Sequence, residues 1–103
     1  MNRQQLVDER SRALHLKIAY KLRNHPEFWT IPEQNLRRWE EKMGGVPPAM
    51  YEWYRILRTA SREEILSLLE SPSEEAARLR SSSPFTGILS QDERAEIMKS
   101  FQG

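Results

Sequence analysis

The chain has 103 residues, of which 30% are charged and 38% hydrophobic, and its sixteen basic and fifteen acidic side chains leave a net charge of +1. This balance argues against a dedicated nucleic-acid-binding protein, and the absence of cysteine excludes disulfides, thiolate nucleophiles and cysteine-bound zinc. No apolar run is long enough to span a membrane and the N-terminus lacks a signal-peptide core, so we expect a cytoplasmic protein with one domain over residues 1–103.

Four short patterns predict where helices begin. In each, a hydroxyl side chain precedes a carboxylate by three positions, which is the spacing of a capping box: Thr30 with Glu33, Ser61 with Glu64, Ser71 with Glu74, and Ser90 with Glu93. Each pattern opens a segment with helical apolar periodicity, and no strand pattern competes. The sequence therefore predicts an all-α fold, a compact bundle of five or six short helices.

In chain order, the predicted helices cover residues of about 3–23, 32–43, 47–58, 62–70, 72–81 and 91–101. The first ends before Pro26, because the residue that precedes a proline disfavours the α region. Gly44 and Gly45 end the second. The inward stripe of the first helix is predicted to contain Val7, Leu14, Ile18 and Leu22, widened by Leu6, Ala13, Ala19 and Tyr20.

No residue pattern indicates catalysis. His15 and His25 do not stand at metal-ligand spacings, and we expect both to be surface or hydrogen-bonded side chains. The serines at 81–83 lack the strand–turn–helix setting of a nucleophile, and there is no glycine-rich phosphate loop. The sequence predicts a protein that is not an enzyme and needs no metal or cofactor.

The third predicted helix is apolar around most of its circumference. Such a helix is either central in the fold or covered by a partner, which makes Tyr51 and Tyr54 candidate partner-binding residues. The alternative is a DNA-binding or autoregulatory module that contacts phosphates through Arg37, Arg38, Arg55 and Arg58. We rank it second, because Gly44-Gly45 followed by Val46-Pro47 is a poor match to the tight turn of a helix-turn-helix.

Residues 81–89, with the sequence SSSPFTGIL, form an uncharged segment between two highly charged ones. In the interpretation that we favour, Phe85, Ile88 and Leu89 pack into the bundle and Gly87 supplies a turn. In the other, the segment faces a protein partner, with these candidate contact residues: Arg80, Ser82, Ser83, Pro84 and Phe85. The two can coexist if the segment is anchored at its end and exposed at its beginning.

Four stretches span nearly the whole chain in the order VDERSRALHLKIAYKLR, NLRRW, YEWYRIL and EEAARLRSSSPFTGILSQDER. This order resembles a family of small bacterial all-helical proteins with a C-terminal SPFxGxL…ER signature. The family is similar to antitoxin-like partners encoded beside nucleotidyltransferase-like proteins. The resemblance implies an accessory subunit that binds and restrains that enzyme, with a protein as its partner rather than a membrane.

Overall fold

The computed structural model describes residues 2–101, which form six α-helices and one 3₁₀ helix. These are α1 (Arg3–Asn24), the 3₁₀ helix (Pro26–Thr30), α2 (Ile31–Met43), α3 (Pro48–Thr59), α4 (Arg62–Glu70), α5 (Glu74–Arg80) and α6 (Gln91–Lys99). The all-α prediction is confirmed. The Cα radius of gyration is 13.7 Å, close to the value of about 13 Å expected for a compact chain of this length.

Two of the four predicted capping boxes are confirmed, at Ser61 and Ser90. Each serine hydroxyl accepts from the amide three residues on, and that residue's carboxylate accepts from the serine amide. The other two were wrong. Thr30 ends the 3₁₀ helix in αR conformation and makes no side-chain cap, whereas a capping residue normally has extended backbone. Helix α5 begins two residues later than predicted, with Ser73 as its cap.

Helix α1 is the central element and packs against the 3₁₀ helix, α4, α5 and α6. Its buried positions are His15, Ile18, Ala19 and Leu22, which follow the helical spacing i, i+3, i+4, i+7. The predicted stripe was wrong at Val7 and Tyr20, which are exposed. The buried face includes a histidine, which a count of apolar residues alone does not predict.

The middle of the core joins α3 to the segment 81–89. The rings of Trp53 and Phe85 are fully buried and meet edge to face, with their centroids 5.5 Å apart, a favoured aromatic geometry. The Trp53 indole N–H donates to the carbonyl oxygen of Leu79 at 2.9 Å. The segment 81–89 thus contributes its apolar side chains to the core, while Ser81, Thr86 and Gly87 are exposed.

Among the described residues, no helix is both long and apolar enough to pass through a membrane.

Candidate functional site

The segment 81–89 packs inward, as the favoured interpretation predicted. Phe85, Ile88 and Leu89 are buried, and Phe85 is only 1% exposed. The expectation that Pro84 and Phe85 contact a partner is corrected, because both side chains lie in the core and are inaccessible from the surface. Gly87 adopts φ 97°, a left-handed conformation that glycine takes without steric cost, so the predicted turn is present.

Two polar side chains from other helices hold this segment in place. The Asn35 side-chain amide of α2 donates to the carbonyl oxygens of Pro84 and Thr86, both at 2.8 Å. The Lys21 ammonium of α1 donates to the Ile88 carbonyl oxygen and to Glu93, both at 2.8 Å. The ion pair with Lys21, helped by the Ser90 amide, lowers the pKa of Glu93 to about 2.

Asn35 was not predicted as a buried residue, although the spacing of its neighbours along α2 indicates that it lies on the inward face. Pro32, Asn35, Leu36 and Trp39 follow the spacing i, i+3, i+4, i+7 along α2, so a polar side chain stands within an inward stripe. Buried polar groups are nearly always hydrogen-bonded. Such an asparagine therefore indicates backbone carbonyls nearby, here those of the segment 81–89.

Arg80 is a buried structural residue. The prediction that it contacts a protein partner is therefore wrong. It is 4% exposed, and its Nη1 donates to the carbonyl oxygens of Leu68 at 2.9 Å and Ser71 at 2.7 Å. These bonds satisfy carbonyls at the end of α4, which have no partner within that helix. Burial lowers the pKa of Arg80, and the charge of Arg12 lowers it further.

The two serine candidates are half-buried and bond within their own turn. The Ser82 hydroxyl donates to the carbonyl oxygen of Leu79 at 3.4 Å, and the Ser83 hydroxyl accepts from the Phe85 amide at 3.2 Å. Their hydroxyls are therefore engaged inside the protein. The segment contributes no exposed apolar side chain to a binding surface.

The tyrosine candidates lie elsewhere, in a groove between α2 and α3 with a volume of about 420 Å³. Tyr51 is 66% exposed, while Tyr54 is half-buried. Tyr51, Arg55 and Arg58 recur at the spacing i, i+4, i+7 and so share one face of α3. We call this surface the α2–α3 groove; its lining residues are Arg37, Glu40, Val46, Tyr51, Tyr54, Arg55, Arg58 and Thr59.

Three arginines and one glutamate line the α2–α3 groove, and one of the arginines, Arg37, forms an ion pair with Glu33 at 2.9 Å. The groove's single carboxylate, Glu40, accepts a hydrogen bond from the Tyr54 hydroxyl at 3.0 Å. Burial and this bond raise the pKa of Tyr54, so the phenol stays neutral. The Arg58 guanidinium lies 5.3 Å from the centre of the Tyr54 ring, within the range of a cation–π contact. The groove combines an aromatic surface with three arginines.

The connection between α2 and α3 is short. It comprises residues 44–47, and Gly44 ends α2 in the left-handed conformation, with φ 69°. The connection has the four-residue length found in helix-turn-helix motifs, although its glycine and proline content predicts a poor match to such a turn. The observation favours the nucleic-acid alternative more than the sequence did.

A second exposed apolar surface was not predicted. It is a shallow groove between α1 and α6 that includes Leu16, Tyr20 and Ile97. Tyr20 was predicted to widen the inward stripe of α1, yet its side chain is 58% exposed. In contrast to the α2–α3 groove, its charged lining residues are one lysine and one glutamate, Lys17 and Glu96.

Within residues 2–101, no group of three His, Cys, Asp or Glu side chains is placed to hold a metal ion. Comparisons with protein-family models, curated proteins and solved structures gave no match.

Proposed function

We propose that the protein is a non-catalytic binding module whose α2–α3 groove docks an acidic segment of a partner protein. The observation that carries this proposal is the exposure of Tyr51 beside Arg37, Arg55 and Arg58. Tyrosine and arginine dominate the energetics of protein interfaces. The excess of arginine in the groove complements a segment that carries carboxylates.

The sequence resemblance supplies the identity of the partner. On that basis, the partner is a nucleotidyltransferase-like enzyme encoded beside this protein, and binding in the cytoplasm restrains its activity in the manner of an antitoxin. The chain needs no catalytic group for this role, because it acts by occupying a surface of the enzyme.

Substitution of Tyr51 tests this proposal. Because the Tyr51 side chain is largely exposed, Tyr51→Ala should leave the fold intact. Loss of an interface hot spot costs 2 kcal/mol or more, which corresponds to a roughly 30-fold rise in Kd. The measurement is calorimetric titration of the purified neighbouring enzyme, paired with a growth assay of cells that express the enzyme with and without this protein.

Tyr20→Ala is the matched control, since Tyr20 is a similarly exposed tyrosine on α1. It should leave both affinity and growth rescue unchanged. The proposed docking face is rejected if Tyr20→Ala weakens binding and Tyr51→Ala does not. The antitoxin-like role is rejected if the neighbouring enzyme is harmless when expressed alone or does not bind this protein.

Nucleic-acid binding is the second candidate, and the four-residue connection between α2 and α3 favours it. Here α3 contacts DNA through Arg55 and Arg58, with Arg37 and Arg38 of α2 on the phosphates. Four arginine–phosphate contacts, from Arg37, Arg38, Arg55 and Arg58, predict that log K falls with log salt at a slope of about −3.6. Salt-sensitive binding to the protein's own promoter fragment, without any partner protein, would place this candidate first.

A further inference from the structure

A cavity of about 200 Å³ lies between α1, the end of α5, the segment 81–89 and α6. We call it the His15 cavity; its polar lining residues are His15, Arg80, Ser81, Ser83, Thr86 and Arg94. Thr86 and Arg94 are exposed, whereas His15 and Arg80 are buried. The cavity therefore has an accessible mouth and a buried polar interior, and it lies apart from the α2–α3 groove.

Two buried nitrogens in this lining have no hydrogen-bond partner among the described residues. They are Nε2 of His15 and Nε of Arg80, on side chains that are 6% and 4% exposed. A buried polar atom without a partner is costly, and each such atom in a native protein calls for a water, an ion or a ligand. Both side chains line the same cavity.

The hydrogen bond on the other side of the imidazole defines what His15 can bind. Its Nδ1 lies 2.7 Å from the carbonyl oxygen of Ser11, which can only accept, so Nδ1 carries the hydrogen. In the neutral ring Nε2 is then a lone-pair acceptor. Because Nδ1 is committed to the backbone of α1, Nε2 is the ring nitrogen that is left for a ligand.

The surrounding charge is positive. Burial, and then the charges of Arg80 and Arg94, lower the pKa of His15 to about 4, so the imidazole is neutral at pH 7. Among the described residues, neither arginine forms an ion pair; Arg80 uses Nη1 for carbonyl oxygens at the end of α4. Nearby on α1 are Asp8, Glu9 and Arg12, which act on Arg80 without entering the lining of the cavity.

We propose that the His15 cavity binds inorganic phosphate or the phosphate group of a small monoester. The guanidinium groups of Arg80 and Arg94 pair with its anionic oxygens, as arginine does in phosphate sites. A protonated phosphate oxygen donates to Nε2 of His15. The volume is several times the ~30 Å³ that one water occupies in the liquid, which leaves room for a tetrahedral anion.

The neutral histidine makes the site selective for an anion that can donate a hydrogen bond. At pH 7.5 phosphate retains a proton, whereas sulfate has only acceptor oxygens and would place one against the Nε2 lone pair. We therefore expect phosphate to bind at least tenfold more tightly than sulfate. A chain of waters can also donate to Nε2, but it supplies no negative charge to the two arginines.

The test is a titration of the full chain with sodium phosphate and, separately, sodium sulfate at pH 7.5 and constant ionic strength. NMR of the imidazole nitrogens is the readout, since the chain has only two histidines. Phosphate should shift the Nε2 signal of His15 and leave that of His25, which lines no part of the cavity, unchanged. Equal effects of the two anions, or no shift at His15, would overturn the proposal.

Arg94→Gln removes one cation from an exposed position and should raise the Kd for phosphate at least fivefold without loss of folding. Arg38→Gln, the same change at an exposed position on α2, is the matched control and should have no effect. Equal affinity of the Arg94 variant and the wild type contradicts the site. His15→Phe should remove the preference for phosphate over sulfate; if it unfolds, the Arg94 variant and the histidine spectrum still decide.

Glycerol 3-phosphate, compared with inorganic phosphate at pH 5.5, distinguishes the two sources of the phosphate group. At this pH the ester, whose second pKa is about 6, also retains a proton, and His15, with a pKa of about 4, is still neutral. Tighter binding of the ester than of inorganic phosphate identifies a monoester site, and the reverse order identifies a site for the free anion. If neither shifts the His15 signal, the cavity holds only water and the proposal is wrong.

Discussion

The buried imidazole of His15 makes the stability of the fold depend on pH. Burial, with the charges of Arg80 and Arg94, lowers its pKa from 6.5 to about 4, against a weaker raising effect of the Ser11 carbonyl. The unfolded chain takes up a proton as the pH falls below about 6.5, while the folded chain stays neutral at this site until about pH 4. The contribution of His15 to the free energy of unfolding is therefore fully present above pH 6.5. It falls by roughly 3 kcal/mol at most as the pH decreases to 4.

We therefore predict a lower urea midpoint at pH 5.0 than at pH 7.5, measured by circular dichroism. The folded-state pKa of Glu93 is about 2, so loss of its ion pair contributes only below its ordinary pKa of about 4.5. His15→Phe should flatten the dependence between pH 6.5 and pH 5, whereas His25→Gln should retain it. An unchanged slope in the His15 variant would show that its ionisation is not coupled to folding.

At the same scale, the residues that the sequence did not reveal are polar ones in the interior. The burial of Asn35 depends on the carbonyl oxygens of Pro84 and Thr86, about fifty positions further along the chain. Lys21 reaches the Ile88 carbonyl in the same way. Local periodicity shows that a polar side chain lies on an inward face, but the partner that satisfies it is determined by how the helices pack.

At the scale of single elements, the sequence predicts most of the helices because their signals are local. Helix α4 has the predicted bounds, Arg62–Glu70, and its capping box at Ser61 is present. The pattern at Thr30 failed because a 3₁₀ helix, Pro26–Thr30, precedes α2 and places Thr30 in a helical conformation. A capping box therefore requires extended backbone at the capping residue itself, and the sequence around Pro26 did not indicate the 3₁₀ helix that prevents it here.

These two sites provide a matched pair for a stability measurement. Ser61→Ala removes a hydroxyl that accepts from the Glu64 amide at 3.1 Å, and loss of such a cap costs about 1 kcal/mol. Thr30→Ala should cost a few tenths of a kcal/mol, because its exposed hydroxyl makes only a 3.2 Å bond to the Glu27 carbonyl. The check is the free energy of unfolding in urea. Equal losses in both variants would contradict this assignment of the caps.

At the scale of the whole molecule, the segment 81–89 joins helices that are distant in sequence. Asn35 of α2, Trp53 of α3 and Lys21 of α1 bond or pack against the segment or the carbonyl just before it. The sequence left open whether the segment is core or interface, because apolar residues without charge suit both environments. Only the positions of the other helices decide between them, and they also bring Tyr51 together with the arginines of the α2–α3 groove.

This arrangement predicts that the chain unfolds as one cooperative unit, as the expectation of a single domain over 1–103 requires. Tryptophan fluorescence reports on the half-buried Trp29 and Trp39 and on Trp53 in the core. Far-UV circular dichroism reports on all helices, so the two urea transitions should coincide. Asn35→Ala leaves two carbonyl oxygens without their donor and should lower the free energy of unfolding by about 1–3 kcal/mol. It should shift both transitions equally, because the segment that it releases contacts α1, α2 and α3.

The control is Asn24→Ala, which removes one bond at the exposed end of α1. It should shift neither transition by more than a few tenths of a kcal/mol. Separation of the fluorescence and dichroism transitions in the Asn35 variant would show that the segment unfolds independently and does not hold the helices together.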